Sequence, residues 1–314
     1  MPSLIALVTR LSKPAEEAWL TSLRAAMPAE TILPIGDMSG AELERAEIAI
    51  VANPDPADLN RLPNLKWVQS LWAGVERLVL ELEGFAPPIV RLIDPRLAET
   101  MAEAVLAWTL YLSRDMPAYG AQQRDRVWKQ LPYRAARDTR VGLLGLGELG
   151  SAAAEKLLLA GFDVAGWSRT ARELPEIRTF SGAQGLDEML SQSDILVCLL
   201  PLTAETTGLL GTRQFERLPE GAGFINFARG KIVRTDDLMA ALDKGRLKHA
   251  VLDVFETEPL EEGSPLWSHP GITVLPHISA PTNQSTAAKI AAANIAAFRA
   301  SGMLPDGIDF ARGY

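Results

Sequence analysis

Residues 140–170 read RVGLLGLGELGSAAAEKLLLAGFDVAGWSRT, and this stretch decides how the rest of the sequence is interpreted. A short apolar run at 141–144 leads into a glycine-rich turn. An alanine- and leucine-rich segment with helical spacing follows, and then a second apolar run at 164–167. Strand, glycine turn, helix and strand in this order form the setting in which G-x-G-x-x-G binds a dinucleotide. We therefore predict a dinucleotide site here, the alternative being a tight strand–helix turn without a ligand.

Six residues of the turn are expected to line the cofactor: Gly145, Leu146, Gly147, Glu148, Leu149 and Gly150. Gly145 permits the tight turn, Gly147 lets the backbone approach a pyrophosphate, and Gly150 lets the helix pack closely on the strand. The pyrophosphate is expected at the helix N-terminus, where backbone N–H groups are unpaired. Glu148 adds a carboxylate to this turn, and it must point away from the pyrophosphate.

Composition limits the classes of protein to consider. A chain of 314 residues is long enough for two domains. The net charge of −8 and the lack of a basic stripe argue against nucleic acid or an anionic membrane as a partner. The single cysteine, Cys198, excludes an intrachain disulfide and suits a reducing compartment. With no apolar stretch of membrane-spanning length and no secretion signal, we expect a cytoplasmic protein, and we predict no metal site.

Short apolar runs alternate with helical segments along the whole chain. The runs that we predict as further strands are 4–8, 31–35, 48–51, 66–70, 89–91, 195–200, 224–227, 250–254 and 272–275. This alternation predicts parallel sheets covered by helices. Residues 97–116 form a predicted long helix with apolar side chains on more than one face, and it is expected to be buried between domains or subunits.

Three candidate reactive residues, Arg229, Glu258 and His277, each come a few residues after a predicted strand. Ligands of open α/β sheets bind at the carboxyl ends of the strands. A guanidinium suits a carboxylate and its neighbouring carbonyl oxygen, and a histidine can transfer a proton near neutral pH. Each residue alone could be an ordinary surface group, but together they predict a site. His249 is expected before its strand, at the wrong edge, and His269 in a turn.

The end of the strand at 164–167 addresses the choice of cofactor. An NAD site carries Asp or Glu at this point, which binds the ribose 2′-hydroxyl. Here Ser168, Arg169 and Arg172 follow instead, and Asp163 is at the opposite end of the strand. A hydroxyl and guanidinium groups accept a 2′-phosphate, so we predict that NADPH is preferred over NADH. The alternative is that both arginines are solvated loop residues.

The order GLGELG, LLPLTAET, NFARG, LDVFETEP, SPLWSHP and PHIS resembles the D-2-hydroxyacid dehydrogenases over nearly the whole chain. Within that family the chain is most similar to the group of glyoxylate/hydroxypyruvate reductases A, on the segments 167–170, 264–267 and 311–314. The resemblance implies two doubly wound α/β domains with parallel sheets and the active site in the cleft. Residues 99–282 would form a Rossmann-type NADP-binding domain, and residues 1–98 with 283–314 a flavodoxin-like substrate-binding domain. It also implies a homodimer through the cofactor domain and the helix at 97–116.

The same resemblance implies roles for single residues. Arg229 anchors the substrate beside the cofactor, His277 contacts the substrate and donates the proton, and Glu258 pairs with that histidine. The loop of Trp72, Ala73 and Gly74 supplies backbone N–H groups to the substrate carboxylate, although the bulk of Trp72 leaves the permitted substrate size open. The residues expected around the nicotinamide are Leu200, Pro201, Phe227, Ala228 and Asp253.

The activity implied by the resemblance is NADPH-dependent reduction of small 2-oxo acids, converting glyoxylate to glycolate and hydroxypyruvate to D-glycerate. Two alternatives stay open. One is a reductase of larger 2-oxo acids, phenylpyruvate-like or branched. The other is a dinucleotide-sensing binding protein of the same fold, although the sequence has no extra tail or basic arm for a partner.

Overall fold

The computed structural model describes residues 4–310, which form two compact units. The terminal unit contains the described residues up to Arg96 and those from Thr282 onward, and the central unit is Leu97–Pro281. Residues 311–314, one of the segments that carried the resemblance, lie outside the described residues.

Short parallel strands make up both sheets. The strands of the described chain are β1 (Leu4–Thr9), β2 (Thr31–Pro34), β3 (Ala46–Ala52), β4 (Trp67–Ser70), β5 (Ile89–Val90), β6 (Arg140–Leu144), β7 (Asp163–Ser168), β8 (Arg178–Ser181), β9 (Ile195–Cys198), β10 (Ala222–Asn226), β11 (Leu247–Leu252) and β12 (Ile272–Val274). Most are continuous apolar runs, because a parallel sheet is covered on both faces.

Helices follow most of the strands. They are α1 (Lys13–Ala26), α2 (Gly40–Arg45), α3 (Pro56–Leu59), α4 (Glu76–Glu81), α5 (Pro95–Ser113), α6 (Met116–Asp125), α7 (Glu148–Leu159), α8 (Gly182–Ser191), α9 (Thr212–Arg217), α10 (Thr235–Asp243) and α11 (Gln284–Ser301). None of these described helices combines the length and the apolar character needed to cross a bilayer.

The strand orders identify two doubly wound sheets. The terminal unit has the order β2-β1-β3-β4-β5, and the central unit has β12-β11-β10-β9-β6-β7-β8, with every neighbouring pair parallel. The first order is that of flavodoxin-like folds. The second is the Rossmann order extended by one strand, with the switch point between β6 and β9. The predicted fold class is confirmed.

The C-terminal helix belongs to the terminal unit. One face of α11 carries Ala287, Ala291 and Ile295, which are buried in a cluster with Trp19 and Leu23 of α1. The spacing of four residues places the three α11 side chains on one stripe, so the helix covers the sheet with small and branched groups.

The predicted helix at 97–116 differs from the structure in two ways. It ends at Ser113, and α6 begins at Met116 after a left-handed Asp115, where Pro117 favours a helix start. Within the described chain α5 is buried along one face only, by residues such as Met101 and Val105, and Leu110 remains exposed. The predicted all-round burial is therefore not provided by the described residues of this chain.

Cys198 ends β9 in the core of the central unit and is fully buried. Burial raises the pKa of its thiol to about 12. A buried, protonated thiol is not expected to act as a nucleophile.

Candidate active site and nucleotide site

The glycine turn joins β6 to α7 with very close backbone contacts. Gly145 has φ +100°, and a Cβ added there would lie 2.8 Å from the carbonyl oxygen of Leu199. A Cβ at Gly150 would lie 1.9 Å from the carbonyl oxygen of Gly145, so only glycine lets α7 begin this close to β6. A Cβ at Gly147 would meet nothing within 4 Å. Gly147 precedes the twelve-residue helix α7, whose N-terminal backbone N–H groups are available to an anion.

The side chain of Glu148 lies in the first turn of α7 and is exposed. A carboxylate at a helix N-terminus interacts favourably with the helix dipole. Its exposure is compatible with the expectation that it points away from a bound pyrophosphate.

Two arginines flank this turn at the carboxyl end of β7. The guanidinium of Arg172 donates a hydrogen bond to the carbonyl oxygen of Leu146, inside the turn. Arg169 Nη1 lies 2.7 Å from Glu205 Oε2, and Ser168 Oγ donates to the Thr170 carbonyl oxygen at 2.7 Å. No acid stands among residues 168–170, but Glu205, in the loop after β9, supplies a carboxylate to Arg169, and the sequence pattern does not indicate this contact.

Arg229 follows β10 in a loop shaped by Asn226. The buried amide of Asn226 accepts a hydrogen bond from the Ala228 N–H at 3.1 Å and donates to the Arg229 carbonyl oxygen at 3.2 Å. Phe227 and Ala228 are buried, whereas Arg229 is half-buried and donates to the Ala228 carbonyl oxygen at 2.7 Å. The role of Asn226 was missed because nothing in its spacing distinguishes it from a strand residue.

Gly230 brings the loop after β10 against the loop after β11. A Cβ at this position would lie 1.9 Å from the carbonyl carbon of Phe255. Any side chain at Gly230 would therefore push the two loops apart, and they carry Arg229 and Glu258 respectively.

Glu258 and His277 form a close pair at the same edge of the sheet. His277 Nδ1 lies 2.8 Å from Glu258 Oε2, and Glu258 Oε1 accepts a hydrogen bond from the Phe255 N–H at 2.9 Å. The side chains are 51% and 35% exposed. A carboxylate on Nδ1 favours the tautomer with the proton there and leaves Nε2 for another partner. The pair thus has the geometry of an oriented proton-transfer group.

Asp253 holds the backbone next to His277. Its buried carboxylate accepts hydrogen bonds from the Ile278 N–H at 2.7 Å and from the Ser279 N–H at 2.9 Å. His277 itself has φ +53°, in the left-handed region. The family resemblance implied that Asp253 lies beside the nicotinamide. The structure shows that both its oxygens already serve this loop, with acceptor capacity left over.

The other two histidines lie away from this edge. The sequence predicted that His249 precedes its strand, but the structure places it inside β11. Its Nε2 lies 2.8 Å from Thr273 Oγ1. Burial lowers the pKa of His249 to about 4, helped by the nearby charges of His269 and Lys248, so its imidazole is neutral at pH 7. His269 Nδ1 accepts a hydrogen bond from the Gly271 N–H at 3.0 Å and shapes the turn before β12.

In the loop after β9, Leu200 is buried and Pro201 is exposed. It lies at the same edge as the glycine turn because β9 and β6 are parallel neighbours. This placement is compatible with the expected position of both residues beside a bound cofactor.

The loop at Trp72 belongs to the terminal unit and follows β4. The Trp72 N–H donates to Ser70 Oγ at 3.0 Å, and its ring packs edge-on against Trp19 with ring centroids 5.7 Å apart. The expectation that all three residues offer free N–H groups is corrected at Trp72. Within residues 4–310 the N–H groups of Ala73 and Gly74 have no hydrogen-bond acceptor.

The sheet order and the glycine turn define a dinucleotide-binding α/β protein. The family model of the D-isomer specific 2-hydroxyacid dehydrogenase NAD binding domain matches residues 106–279. The chain belongs to this family, and it is an NAD(P)-dependent 2-hydroxyacid dehydrogenase.

Solved structures agree with this assignment. The chain is 38% identical to a D-isomer specific 2-hydroxyacid dehydrogenase from Xanthobacter autotrophicus Py2 in complex with NADPH and MES, with a TM-score of 0.92 over 100% of both chains. It is 34% identical to an NADPH-dependent glyoxylate/hydroxypyruvate reductase from Sinorhizobium meliloti in complex with NADP and sulfate, with a TM-score of 0.91 over 99% of this chain and 100% of the other. A probable 2-hydroxyacid dehydrogenase from Rhizobium etli CFN 42, in complex with NADP, HEPES and L(+)-tartaric acid, is 35% identical, with a TM-score of 0.90 over 100% and 99%.

Proposed function

We propose that this protein reduces small 2-oxo acids with NADPH, glyoxylate to glycolate and hydroxypyruvate to D-glycerate. The observation that carries the proposal is the pair of His277 and Glu258, 2.8 Å apart, at the sheet edge where Arg229 also lies. The similarity to a glyoxylate/hydroxypyruvate reductase supports the substrate, and the neighbours that bind NADP support the cofactor.

Arg229 is the proposed substrate anchor. Its planar guanidinium offers paired donors to the carboxylate and to the adjacent carbonyl oxygen of a 2-oxo acid. When C2 accepts a hydride, negative charge develops on that oxygen, and a donor already aimed at it stabilises the transition state. Asn226 and Gly230 hold the loop that carries the arginine.

His277 is the proposed proton donor. With Nδ1 bound to Glu258, the Nε2–H of the charged imidazole is available to protonate the former carbonyl oxygen, which completes the hydroxyl group. Glu258 fixes the orientation of the ring and stabilises its positive charge. Bound NADPH supplies the hydride for this reaction.

The residues that we propose to hold NADPH are Gly145, Leu146, Gly147, Glu148, Leu149, Gly150, Ser168, Arg169, Arg172, Leu200, Pro201, Phe227, Ala228, Arg229 and Asp253. The open space at Gly147 and the start of α7 support the pyrophosphate position. We assign the cofactor domain to residues 99–282 and the substrate domain to residues 1–98 with 283–314, supported by the two compact units.

The loop of Trp72, Ala73 and Gly74 is the proposed binding segment for the substrate carboxylate. Support comes from the Ala73 and Gly74 N–H groups, which lack an acceptor within the described chain. Two neighbouring N–H groups without partners suit an anion. The Trp72 side chain contributes by packing against Trp19, which stabilises the loop.

The substrate class is tested with a panel of 2-oxo acids. We expect glyoxylate and hydroxypyruvate to give higher kcat/KM values than phenylpyruvate or branched 2-oxo acids. Faster reduction of the larger acids would support the alternative reductase. Tight cofactor binding without turnover of any 2-oxo acid would instead support a dinucleotide-sensing binding protein.

Cofactor preference is expected to depend on Arg169. Wild-type protein should show a higher kcat/KM with NADPH than with NADH at saturating glyoxylate. A hydrogen bond to a charged group contributes about 1.5–3 kcal/mol, so Arg169→Ala should reduce this preference roughly ten- to a hundredfold. Combining Ser168→Asp with Arg169→Ala should move the preference toward NADH. The quantity to measure is the ratio of the two kcat/KM values.

Arg178→Ala is the matched control for this ratio. Arg178 begins β8 at the opposite edge of the sheet and is exposed to a similar degree. The control should keep the wild-type ratio. A wild type that favours NADH, or an unchanged ratio in Arg169→Ala, would overturn the NADPH assignment.

We also propose a homodimer through the central unit. Large apolar side chains are exposed on and after α5 and α6: Leu110, Met116, Tyr119, Val127, Trp128 and Tyr133. Trp128 is 100% exposed, in a segment that the structure describes without regular secondary structure. Several exposed large apolar side chains in one part of the chain support an association surface there, and a second copy fits the one-sided burial of α5.

Trp128→Ser is expected to weaken the dimer. Buried tryptophans at interfaces often contribute 2 kcal/mol or more, so the dissociation constant should rise by about thirtyfold or more. Sedimentation velocity over a range of protein concentrations measures this constant. Leu159→Ser is the control, because Leu159 is 82% exposed on α7, outside the proposed surface. A monomeric wild type would refute the dimer.

A cytoplasmic location is part of the same proposal. The only cysteine is buried, so the chain offers no disulfide to an oxidising compartment. Subcellular fractionation tests this location, and recovery outside the cytoplasmic fraction would refute it.

A further inference from the structure

Two loops at the carboxyl edge of the central sheet meet above the glycine turn. Arg169 follows β7 and Glu205 follows β9, and these strands lie on either side of β6, which carries the turn. A contact between the two loops therefore spans the position where the sheet order and the turn place the adenosine half of a dinucleotide.

The loop that carries Glu205 is fixed by its own threonines. Thr206 Oγ1 donates to the Pro201 carbonyl oxygen at 2.7 Å and accepts from the Thr203 N–H at 2.8 Å. Thr207 Oγ1 donates to the Thr203 carbonyl oxygen at 2.7 Å. These bonds tie the turn to itself, so Glu205 is presented from a defined backbone rather than from a loose loop.

Glu205 Oε2 lies 2.7 Å from Arg169 Nη1, and the two side chains are 65% and 43% exposed. We propose that Glu205 is a specificity-determining residue that competes with the cofactor 2′-phosphate for Arg169. This inference rests on the proposed function, in which Arg169 binds that phosphate. In the free protein the Glu205 carboxylate is paired with the Arg169 guanidinium. When the 2′-phosphate binds Arg169, it must either displace this carboxylate or bind against its repulsion.

The competition weakens the binding of NADP⁺ and leaves the binding of NAD⁺ unchanged. A 2′-phosphate brings about two negative charges to the guanidinium, next to the carboxylate, whereas a 2′-hydroxyl brings none. An exposed ion pair changes an equilibrium constant by up to about fivefold, and repulsion between the two anions adds to that. Glu205 therefore lowers the preference for NADP⁺ over NAD⁺ by weakening the binding of NADP⁺ alone.

The test is calorimetric binding of NADP⁺, NAD⁺ and adenosine 2′,5′-bisphosphate to the free protein, which needs no turnover. Glu205→Gln keeps the shape and removes the charge. We expect its dissociation constant for NADP⁺ and for the bisphosphate to fall about three- to tenfold, while the constant for NAD⁺ stays within about twofold. Melting temperatures of the free variants show that each one is folded.

Asp163→Asn is the matched control. Asp163 pairs with Arg178 at 3.7 Å at the opposite end of β7, so the variant also loses an exposed ion pair and one negative charge. It should leave all three constants unchanged, which excludes an effect of net charge. Equal tightening of NADP⁺ and NAD⁺ in Glu205→Gln would overturn the inference.

Arg169→Ala separates this inference from the proposed function. If Arg169→Ala weakens the binding of NADP⁺ but Glu205→Gln does not tighten it, the competition is refuted and the phosphate site stands. If Arg169→Ala leaves NADP⁺ binding unchanged, the phosphate site itself is refuted, and the inference with it.

Discussion

Replacing His277 with Gln is expected to lower kcat for glyoxylate reduction by about a hundred- to ten-thousand-fold, with little change in NADPH binding. The amide of Gln can hydrogen-bond to Glu258 but cannot deliver a proton as an acid. The loss therefore falls on the transition state, after the cofactor is bound. Steady-state kinetics with glyoxylate give kcat, and calorimetry gives the NADPH dissociation constant.

His269→Gln is the control for this variant. His269 shapes a turn before β12 and does not share the edge with Glu258, so its replacement should keep kcat near the wild-type value. If His277→Gln retained turnover within about tenfold of wild type, the proton-donor role would be refuted, since general acids contribute more than this.

Arg229→Lys is expected to lower kcat/KM by at least about a hundredfold through both parameters. Lysine keeps the charge but loses the planar pair of donors, so it cannot bind a carboxylate and a carbonyl oxygen together. KM should rise because the carboxylate contact is present in the ground state. The fall in kcat comes from the weaker contact with the developing oxyanion.

Arg213→Lys is the control for the anchor. Arg213 is on α9 and forms an exposed ion pair with Asp187 at 2.8 Å. Its replacement by lysine is expected to leave the kinetic parameters unchanged. An Arg229→Lys variant that bound and reduced glyoxylate normally would show that Arg229 only stabilises its own loop.

Strands buried on both faces were predictable because they are continuous apolar runs. The predicted run at 224–227 is β10, Ala222–Asn226, and the run at 164–167 is β7, Asp163–Ser168. The glycine turn also predicted the type of sheet, because the close approach of α7 to β6 requires glycines at this spacing. The edge strand β8, Arg178–Ser181, was missed because it has no fully buried residue and reads as polar.

The site was predictable only as far as strand ends could place it. His277 and Glu258 were expected to pair on the strength of the family resemblance, and the structure puts them 2.8 Å apart. The contacts of Asp253 with the backbone 25 and 26 residues further on carry no sequence signal, because any residue can supply an N–H group. The ion pair of Arg169 and Glu205 joins loops 36 residues apart, and only the sheet order brings them together.

The buried thiol at the end of β9 makes this chain a convenient subject for site-directed labelling. The thiolate is the form that attacks maleimides and disulfide reagents, and burial, which raises the pKa of the Cys198 thiol to about 12, keeps this thiol protonated at pH 7. A cysteine introduced on the surface would therefore be labelled alone, without first removing the native one. In the wild-type protein, reaction of the buried Cys198 with such a reagent requires the central sheet to open, so the rate of this reaction would measure the conformational stability of the central unit.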